Sequence, residues 1–496
     1  MENITDGGDV VALVNQLVAD NIALRNTTGW ELGECQQVIL SFRGTKYSAV
    51  PQAQFSKKET SPYRNQRGKV VYVNMLKRQY RVMVNYLMNN EPQYMVTGTG
   101  EGETEGDRVA TREILDSIFQ GRGDDEGFYD AIMDDAIHYG LLRGISWTMA
   151  YYDAKRQQYK FKVYDSLDTY IDTGARNPRN IKKFIFTYTK NRGELEVEFP
   201  NDADGKPIVW DDVAEDNEQT RSPAKLVNLV PRPNGGTLMI YEGLIMEGDK
   251  LYAIMTTKTI TLKKELIDGY DFMPVTYYSP LNSPDDIYPR GWFVDMLALE
   301  REINTLLAKM LKISKTGGRY VYIREGTTLR EGTNQVLNNL DIEVIEVSDT
   351  QELPQQAQLL QISQQDIQLL DILMRNCEDE SGMKQDIMGT ASMGSDSSGR
   401  AIQALQAGSK NNIGVAVNEL NKYMNRLVKI VVRMLIIHGK GQKIYSGKMS
   451  QAIEVPVEAL GKVKVKITFA PRNAFDEITK QAQGAETLRL IAQLVP

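Results

Sequence analysis

Apolar residues recur every three or four positions along some stretches of this chain and every second position along others. The first spacing lines one stripe of a helix and the second lines one face of a strand. Val10, Leu13, Leu17 and Leu24 predict a helix near the start, with Asn21 interrupting its stripe. Val73, Leu76, Tyr80, Val84 and Leu87 predict another within 69–96, a stretch read as one helix followed by a turn, with Asn89 to Pro92 ending the run. Gly98 to Gly106 is small and acidic and reads as a loop. Helical spacing resumes from Ala110 to Phe119 and from Phe128 to Leu142. Residues 146–190 alternate like strands, and strands are expected again over 237–262. The acidic stretch 200–223 between them reads as an exposed loop or hairpin.

The longest periodic signals come later. Trp292, Met296, Leu299, Ile303, Leu306, Met310 and Ile313 follow steps of four and three, a heptad-like seam that predicts a helix over 291–316 packed lengthwise on another helix. Phe293, Leu297, Leu307 and Leu311 widen the seam on one side, and Gly317-Gly318 stops the helix. Residues 319–323 and 342–347 read as strands around a short helical piece. A second helix is expected from Pro354 to Glu380, with Leu360, Ile367, Leu370, Met374 and Cys377 in its seam and Ser363 occupying one seam position. Lys384 to Gly399 is rich in Gly and Ser and reads as a mobile loop, with Ser398 as the N-cap of the next helix. That third long helix covers 399–438. Its stripe is Ile413, Val417, Leu420, Met424, Leu427, Val431 and Leu435, and Lys422, Arg426, Lys429 and Arg433 form an opposite face expected to be a salt-bridged exterior. Strands over 452–469 and a helix from 474 complete the pattern, and the abrupt stop at Pro496 suggests a continuing tail.

Composition narrows what such a chain does. Its 496 residues are enough for about three domains. The greasiest stretch, Leu427 to Ile437, is short and is broken by Lys429 and Arg433, so no membrane span is expected. The first residues show no basic region followed by an apolar run, so no signal peptide is expected, and two distant cysteines, Cys35 and Cys377, fit a reducing origin. A net charge of −7 disfavours tight, sequence-independent gripping of DNA, which needs a Lys or Arg at each phosphate.

Catalytic constellations are thin. The two histidines, His138 and His438, have no His or Cys at metal-ligand spacing and read as structural or surface residues. Gly389 to Asp396 spaces its glycines like a phosphate-binding loop, but Ser395 stands where the lysine is needed and Asp396 would repel phosphate. The acidic runs Asp124-Asp125-Glu126, Asp134-Asp135 and Asp285-Asp286 are the material a two-metal nuclease would use, and they read more simply as solvated loops or helix caps. No catalytic residue, metal site or cofactor is expected. Lys309, Lys312 and Lys315 gather near the end of the 291–316 helix, where cations suit its dipole and are also placed to meet phosphate.

Six stretches in order resemble the portal proteins of tailed bacteriophages. Lys69 to Pro92 resembles the family's early helix ending in a proline turn, and Asp130 to Asp153, with Gly140 to Tyr151 inside it, resembles its helix–turn–strand unit. Val163 to Asp172 resembles the strand after that unit. Met273-Pro274-Val275, then Gly291 to Asp295 and Glu302-Ile303-Asn304, are similar to the strand that leads into a stem helix with an internal Asn, although Ala298 to Arg301 stands where many relatives have Asp-x-Gln. Asp386 to Gly389 and Ser398 to Ile402 resemble the loop and the start of the next helix. The resemblance implies an α+β portal fold: a mixed wing over 1–285 and 399–470, stem helices over 286–316 and 354–383, a small clip over 317–353, a tunnel loop over 384–398 and a helical crown beginning at 471–496. It implies a ring of twelve subunits at one capsid vertex of the virion, assembled in the host cytoplasm, and no enzyme. The ring would conduct double-stranded DNA during packaging and ejection and would meet a terminase motor, the major capsid protein and a head-tail adaptor. Lys384 and Met388 on the loop, with Lys309, Lys312 and Lys315, would face DNA; Arg319, Arg324 and Arg330 would face the clip's partners. A metal-dependent nuclease and a cytoplasmic scaffold without DNA are the rival readings.

Overall fold

A computed structural model describes residues 9–27, 73–88, 90–98, 104–120, 128–175, 177–210, 237–282, 286–316, 320–324, 343–347, 362–382, 399–446, 451–461 and 463–471. In chain order the principal elements are helix α1 (Val10–Thr27), α2 (Met75–Met88), strand β1 (Asn90–Gly98), α3 (Glu105–Gln120), α4 (Met133–Arg143, entered through a π-helical turn, Phe128–Ile132), β2 (Ser146–Asp153), β3 (Gln158–Asp165), β4 (Thr169–Ile171), β5 (Lys183–Asn191), α5 (Arg192–Glu198), β6 (Thr237–Glu247), β7 (Lys250–Thr256), β8 (Thr261–Ile267), β9 (Val275–Tyr278), α6 (Met296–Thr316), β10 (Tyr320–Arg324), β11 (Glu343–Val347), α7 (Gln364–Ser381), α8 (Gly399–His438), β12 (Lys443–Ser446), β13 (Gln451–Glu454), α9 (Val457–Leu460) and β14 (Val463–Pro471). The fold is thus mixed α and β, as expected. The chain divides into two units, one made of 1–36, 83–292 and 411–496, the other of 37–82 and 293–410.

Strict alternation builds the centre of the larger unit. Strands β4 to β8 form an antiparallel sheet of five. On β5, Ile185 faces one way while Phe184, Phe186 and Tyr188 face the other. Ile185 shares its side with Met239, Tyr241 and Ile245 of β6, and Val10, Val14 and Leu17 of α1 close over them. The opposite side packs Phe184 and Phe186 on Tyr164 of β3, with Phe184 also against Trp147 of β2. Farther along that side Leu195 of α5 and Trp210 cover Leu238 and Ile240. At Gly243 a Cβ would stand 2.1 Å from the Phe184 carbonyl oxygen, so the β5–β6 contact requires glycine there.

Asn21 interrupts the apolar stripe of α1 for a reason. It is fully buried, its amide donates to the Ile171 and Leu17 carbonyls at 2.7 and 2.8 Å, and its Oδ1 accepts the Ile171 N–H at 3.2 Å. One turn on, the buried Arg25 donates to the carbonyls of Ser166 at 2.8 Å, Leu167 at 3.2 Å and Thr169, and to the Tyr288 hydroxyl at 3.0 Å. Its guanidinium lies over the Tyr170 and Tyr288 rings at 5.2 and 4.7 Å. The polar side chains of α1 therefore supply donors to the open edge of β4 and to the turn before it, while its apolar side chains close the core.

A second sheet, ordered β3–β2–β9, receives α4 and α8. The run Gly140-Leu-Leu-Arg-Gly144 acquires a physical meaning here. Gly140 lets the Tyr278 ring approach, a Cβ there falling 2.4 Å from it. Gly144 ends α4 at φ 88° and its missing Cβ makes room for the Pro289 carbonyl, 1.9 Å from where that atom would lie. Between them Arg143, itself buried, reaches Asp165 of β3 at 3.4 Å. On the basic face of α8, Lys422, Lys429 and Arg433 are exposed as expected, whereas Arg426 is half-buried and turned to β9, contrary to expectation. Arg426 donates to the Tyr277 carbonyl at 2.7 Å and covers the Tyr277 ring at 4.3 Å, and Arg433 lies over Phe272 at 5.2 Å. Long cationic stems cover apolar surface readily, and aromatic rings attract the heads. Lys422 does pair with Glu419, at 2.6 Å.

Three other boundaries differ from the sequence reading. Asn90 to Pro92 opens a strand, β1, that pairs antiparallel with β14, Pro92 lying opposite Phe469. The helix expected from 291 begins at Met296, and the helix expected from Pro354 is seen from Gln364 to Ser381. Ser363 is consequently no seam residue: its hydroxyl accepts the Asp366 N–H at 3.0 Å while Asp366 accepts the Ser363 N–H at 3.2 Å, a reciprocal cap that starts α7. The expected N-cap Ser398, the loop 384–398, the helix beyond 474, Cys35 and the acidic run 124–126 lie outside the described residues.

Candidate functional site

The smaller unit carries the sequence's strongest heptad signal and most of its candidate site residues. Helix α6, of 21 residues, spans about 32 Å at 1.5 Å per residue. Its first half is buried through Met296, Leu297, Ile303 and Leu306. Two polar residues sit in the same buried stripe, Glu300 and Asn304. Both serve the start of α2. The Glu300 carboxylate accepts the Leu76 N–H at 3.3 Å, and Asn304 accepts the Val73 N–H at 2.8 Å while donating to the Val73 carbonyl at 3.1 Å. A carboxylate beside the first-turn amides of a helix satisfies donors that have no partner within it and suits the positive end of its dipole. Phe293 packs edge-on against Tyr80 of α2 at 5.8 Å.

Helix α7 runs antiparallel to α6. Asp366 near its start feels Lys309 late in α6, and Cys377 near its end feels Glu300 early in α6. The Ser363 cap, with a smaller contribution from Lys309, holds the Asp366 carboxyl below the usual range. Burial pushes the Cys377 thiol up to about 11; its sulfur lies 3.9 Å from the Gln79 amide of α2. Between α6 and α7 the chain forms a pair of parallel strands, Tyr320 opposite Glu343 through to Arg324 opposite Val347, in place of a bare loop.

Beyond the narrow stripe turned to α6, α7 is exposed, and its exposed surface is unusually apolar. Ile367 and Ile372 are each 53 % exposed and Leu369 48 %, with Met374 and Ile362 close behind. Single exposed apolar side chains are ordinary, but Ile367, Leu369, Ile372 and Met374 along one 18-residue helix are the kind of exposure that marks a contact surface. Heptad spacing gave no warning of this, because it counted Ile367 and Met374 toward the seam with α6.

Of the residues expected to face DNA, Lys309 is exposed on α6. Lys312 and Lys315 lie on the last turns of the same helix and Arg324 ends β10, the backbone alone being described for these three. Lys384, Met388, Arg319 and Arg330 lie outside the described residues, as does the glycine-spaced stretch 389–396. Among the described residues no three His, Cys, Asp or Glu side chains converge as metal ligands; Asp124, Asp125, Glu126 and Asp285 lie outside them. Asp134 stands 3.2 Å from His138, and burial followed by Asp135 raises its carboxyl. Asp286 accepts the Tyr288 N–H at 2.9 Å and shapes a turn. His438 stacks on Tyr152 at 4.4 Å and meets the Tyr270 hydroxyl at 3.0 Å, a structural role. Among the described residues no helix is long and apolar enough to cross a membrane.

A mixed α/β chain in which two antiparallel helices bracket a small strand pair, with apolar side chains exposed along the second helix, has the make-up of a structural protein that assembles with others. The model of the phage P22-like portal protein family matches residues 43–444, and the chain belongs to that family. No curated protein matches it. The family is structural and forms an oligomeric ring at a capsid vertex of the phage particle.

Proposed function

We propose that this chain is the repeating wall segment of a DNA conduit. Twelve copies form the ring, α6 and α7 its stem, the strand pair within 317–353 its clip, and 384–398 its tunnel loop. The two sheets with α1, α4 and α8 form the wing, and 471–496 begins the crown. The ring passes double-stranded DNA inward during packaging and outward during ejection. Its clip, through Arg319, Arg324 and Arg330, meets the terminase motor and later the head-tail adaptor, and its wing meets the major capsid protein. Lys309, Lys312, Lys315, Lys384 and Met388 touch the passing duplex. A chain of net charge −7 suits this task, since a strongly basic wall would hold phosphates instead of releasing them.

The observation that carries the reading is the apolar surface of α7. Full burial of an Ile or Leu side chain is worth roughly 1.5–3 kcal/mol, so each half-exposed one leaves on the order of 1 kcal/mol to be gained against a neighbour. Repeated around a closed ring of heterologous contacts, that gain holds the wall together. The test is negative-stain microscopy of the full chain beside the Ile367→Asp/Ile372→Asp variant. Rings with a central hole wide enough for duplex, replaced in the variant by monomers with unchanged circular dichroism, are expected. Monomers of the unaltered chain at every salt concentration refute the ring, and intact rings in the variant refute α7 as its contact.

A further inference from the structure

Two arginines of the larger unit converge on one tyrosine without a carboxylate to meet them. Arg179 stands in the 3-10 turn Pro178–Asn180. It is fixed there because the Asn177 side chain accepts the Arg179 N–H at 2.9 Å and Pro178 is buried. Its Nε donates to the Tyr277 hydroxyl of β9 at 3.4 Å. From α8, Arg426 covers the ring of the same tyrosine at 4.3 Å and donates to the Tyr277 carbonyl at 2.7 Å and to the Thr276 hydroxyl at 3.3 Å. Tyr277 is buried, Arg426 half-buried and Arg179 exposed, so the cluster runs from the core to the surface.

The charge of this cluster is not balanced from within. Among the described residues no carboxylate lies within ion-pair distance of either arginine. Glu419, two turns back on α8, is the carboxylate that acts on Arg426, and it is paired with Lys422 at 2.6 Å. Burial, and after it the charge of Arg179, push the Arg426 guanidinium below its usual range. The Tyr277 hydroxyl accepts from Arg179, so its own hydrogen remains to be donated. The chain adds Arg176, Lys182 and Lys183 around Arg179 and no acid from Thr173 to Lys183. Cations drawn into a fold are as a rule paired. Two of them gathered on one side chain without a partner leave a place for an anion.

We infer that Arg179 and Arg426 form a carboxylate-binding site, filled by an aspartate or glutamate of a second copy of this chain. The donors fit that ligand. Parallel N–H groups of a guanidinium match the two oxygens of a carboxylate, and the Tyr277 O–H adds a further donor beside them. The site is a single point and not a track, which suits one side chain better than an extended polyanion. Composition argues for the source. With 65 acids against 58 bases, copies of the chain repel one another at long range, so closure gains wherever a cationic cluster on one meets a carboxylate on the next. A head-to-tail contact brings two different surfaces together, as such a pairing needs. The inference rests on the ring reading but uses none of the residues singled out for the ring contact or the channel.

The experiment uses the full chain and three variants. Arg179→Glu reverses the exposed charge, and Lys250→Glu makes the same change in net charge at an exposed lysine elsewhere. Assembly is followed by sedimentation velocity over a series of protein and salt concentrations, with circular dichroism as the check on folding. Arg179→Glu should need on the order of 10-fold more protein than Lys250→Glu to reach half-assembly at low salt. The difference should shrink near about 1 M salt, where the screening length falls to about 3 Å. In Arg179→Lys, a carbodiimide joins the substituted amine to a carboxylate that touches it, and mass spectrometry of mixed isotope-light and isotope-heavy copies reads where that carboxylate came from. A bond between light and heavy copies is expected. Equal assembly of the two glutamate variants overturns the inference, and so does a bond confined to one copy, or no bond, while rings still form. Monomers of the parent chain at every concentration refute the ring reading and this inference with it.

Discussion

Replacing Arg25 with methionine tests whether α1 is held by its polar end or by its apolar stripe. The substitution keeps most of the side-chain volume and removes the charge. Arg25 is 6 % exposed, and its donors serve the carbonyls of Ser166, Leu167 and Thr169 and the Tyr288 hydroxyl. A hydrogen bond from a charged donor contributes roughly 1.5–3 kcal/mol, and a buried carbonyl left without its donor costs about 1–3 kcal/mol. The two ring contacts add on the order of 1 kcal/mol each. These contributions share one side chain and do not add, and removing one partner from a buried charged network typically costs about 3–5 kcal/mol. At about 1.4 kcal/mol per factor of ten, the local opening of α1 should become more frequent by roughly 10²-fold or more. The measurement is native-state hydrogen exchange of the α1 amides from Leu17 onward and of Ile171, whose N–H is held by Asn21. Exchange accelerated at these amides, with β6 and β7 protected as before, is expected. An acceleration below about threefold would mean that Val10, Val14 and Leu17 alone hold the helix and that the carbonyls find water at no cost.

The helix caps yield two further outcomes. Gly144→Ala should abolish soluble expression or lower the melting temperature by roughly 5 °C or more. A side chain at φ 88° is strained by about 1–2 kcal/mol and its Cβ would also strike the Pro289 carbonyl; a melting temperature within a degree of the parent would show that the α4–Pro289 approach is loose. Asp366 is held below its ordinary range by Ser363, so its contribution to α7 is fully present above the unfolded carboxyl value near 3.9 and is lost as pH falls through the lower folded value. Hydrogen exchange in the first turn of α7 should therefore accelerate below about pH 4 in the parent and lose that dependence in Asp366→Asn. An unchanged pH profile in the variant would place the titration elsewhere.

Local pattern was enough for most elements. The alternation over 146–190 and 237–262 gave β2 to β7, and the steps of three and four gave α1, α2, α6 and α8, because in each case burial on one side is written at a fixed period. What stayed hidden depended on partners far along the chain. Nothing near Asn90 announces β1, since Pro92 is an ordinary helix stop until Phe469 lies opposite it. Ser363 passed for a seam residue because a small polar residue fits either a heptad position or an N-cap, and only the reciprocal bond with Asp366 decides between them. Asn21, Glu300 and Asn304 looked like faults or neutral residues on apolar stripes, whereas each satisfies backbone of a distant element. The lysines expected at the channel were legible as a cluster. The exposed apolar surface of α7 was not, because periodicity says which residues share a stripe and not how many stripes a helix must cover.

The pairing of β1 with β14 also sets a timetable. Thr97 bonds to a residue 367 positions later in the chain. At 5–20 residues per second of synthesis, roughly 20–70 s pass between the emergence of β1 and that of its partner. Throughout that interval the larger unit is unfinished, and β1 offers an open strand edge to whatever it meets. The smaller unit, whose last residue is Lys410, is complete first. A ribosome that stops short of Val463 thus releases chains with an assembled helix pair on an unclosed body, competent to touch neighbours but not to hold shape. Release of the last residues is the step that separates a nascent chain from a building block.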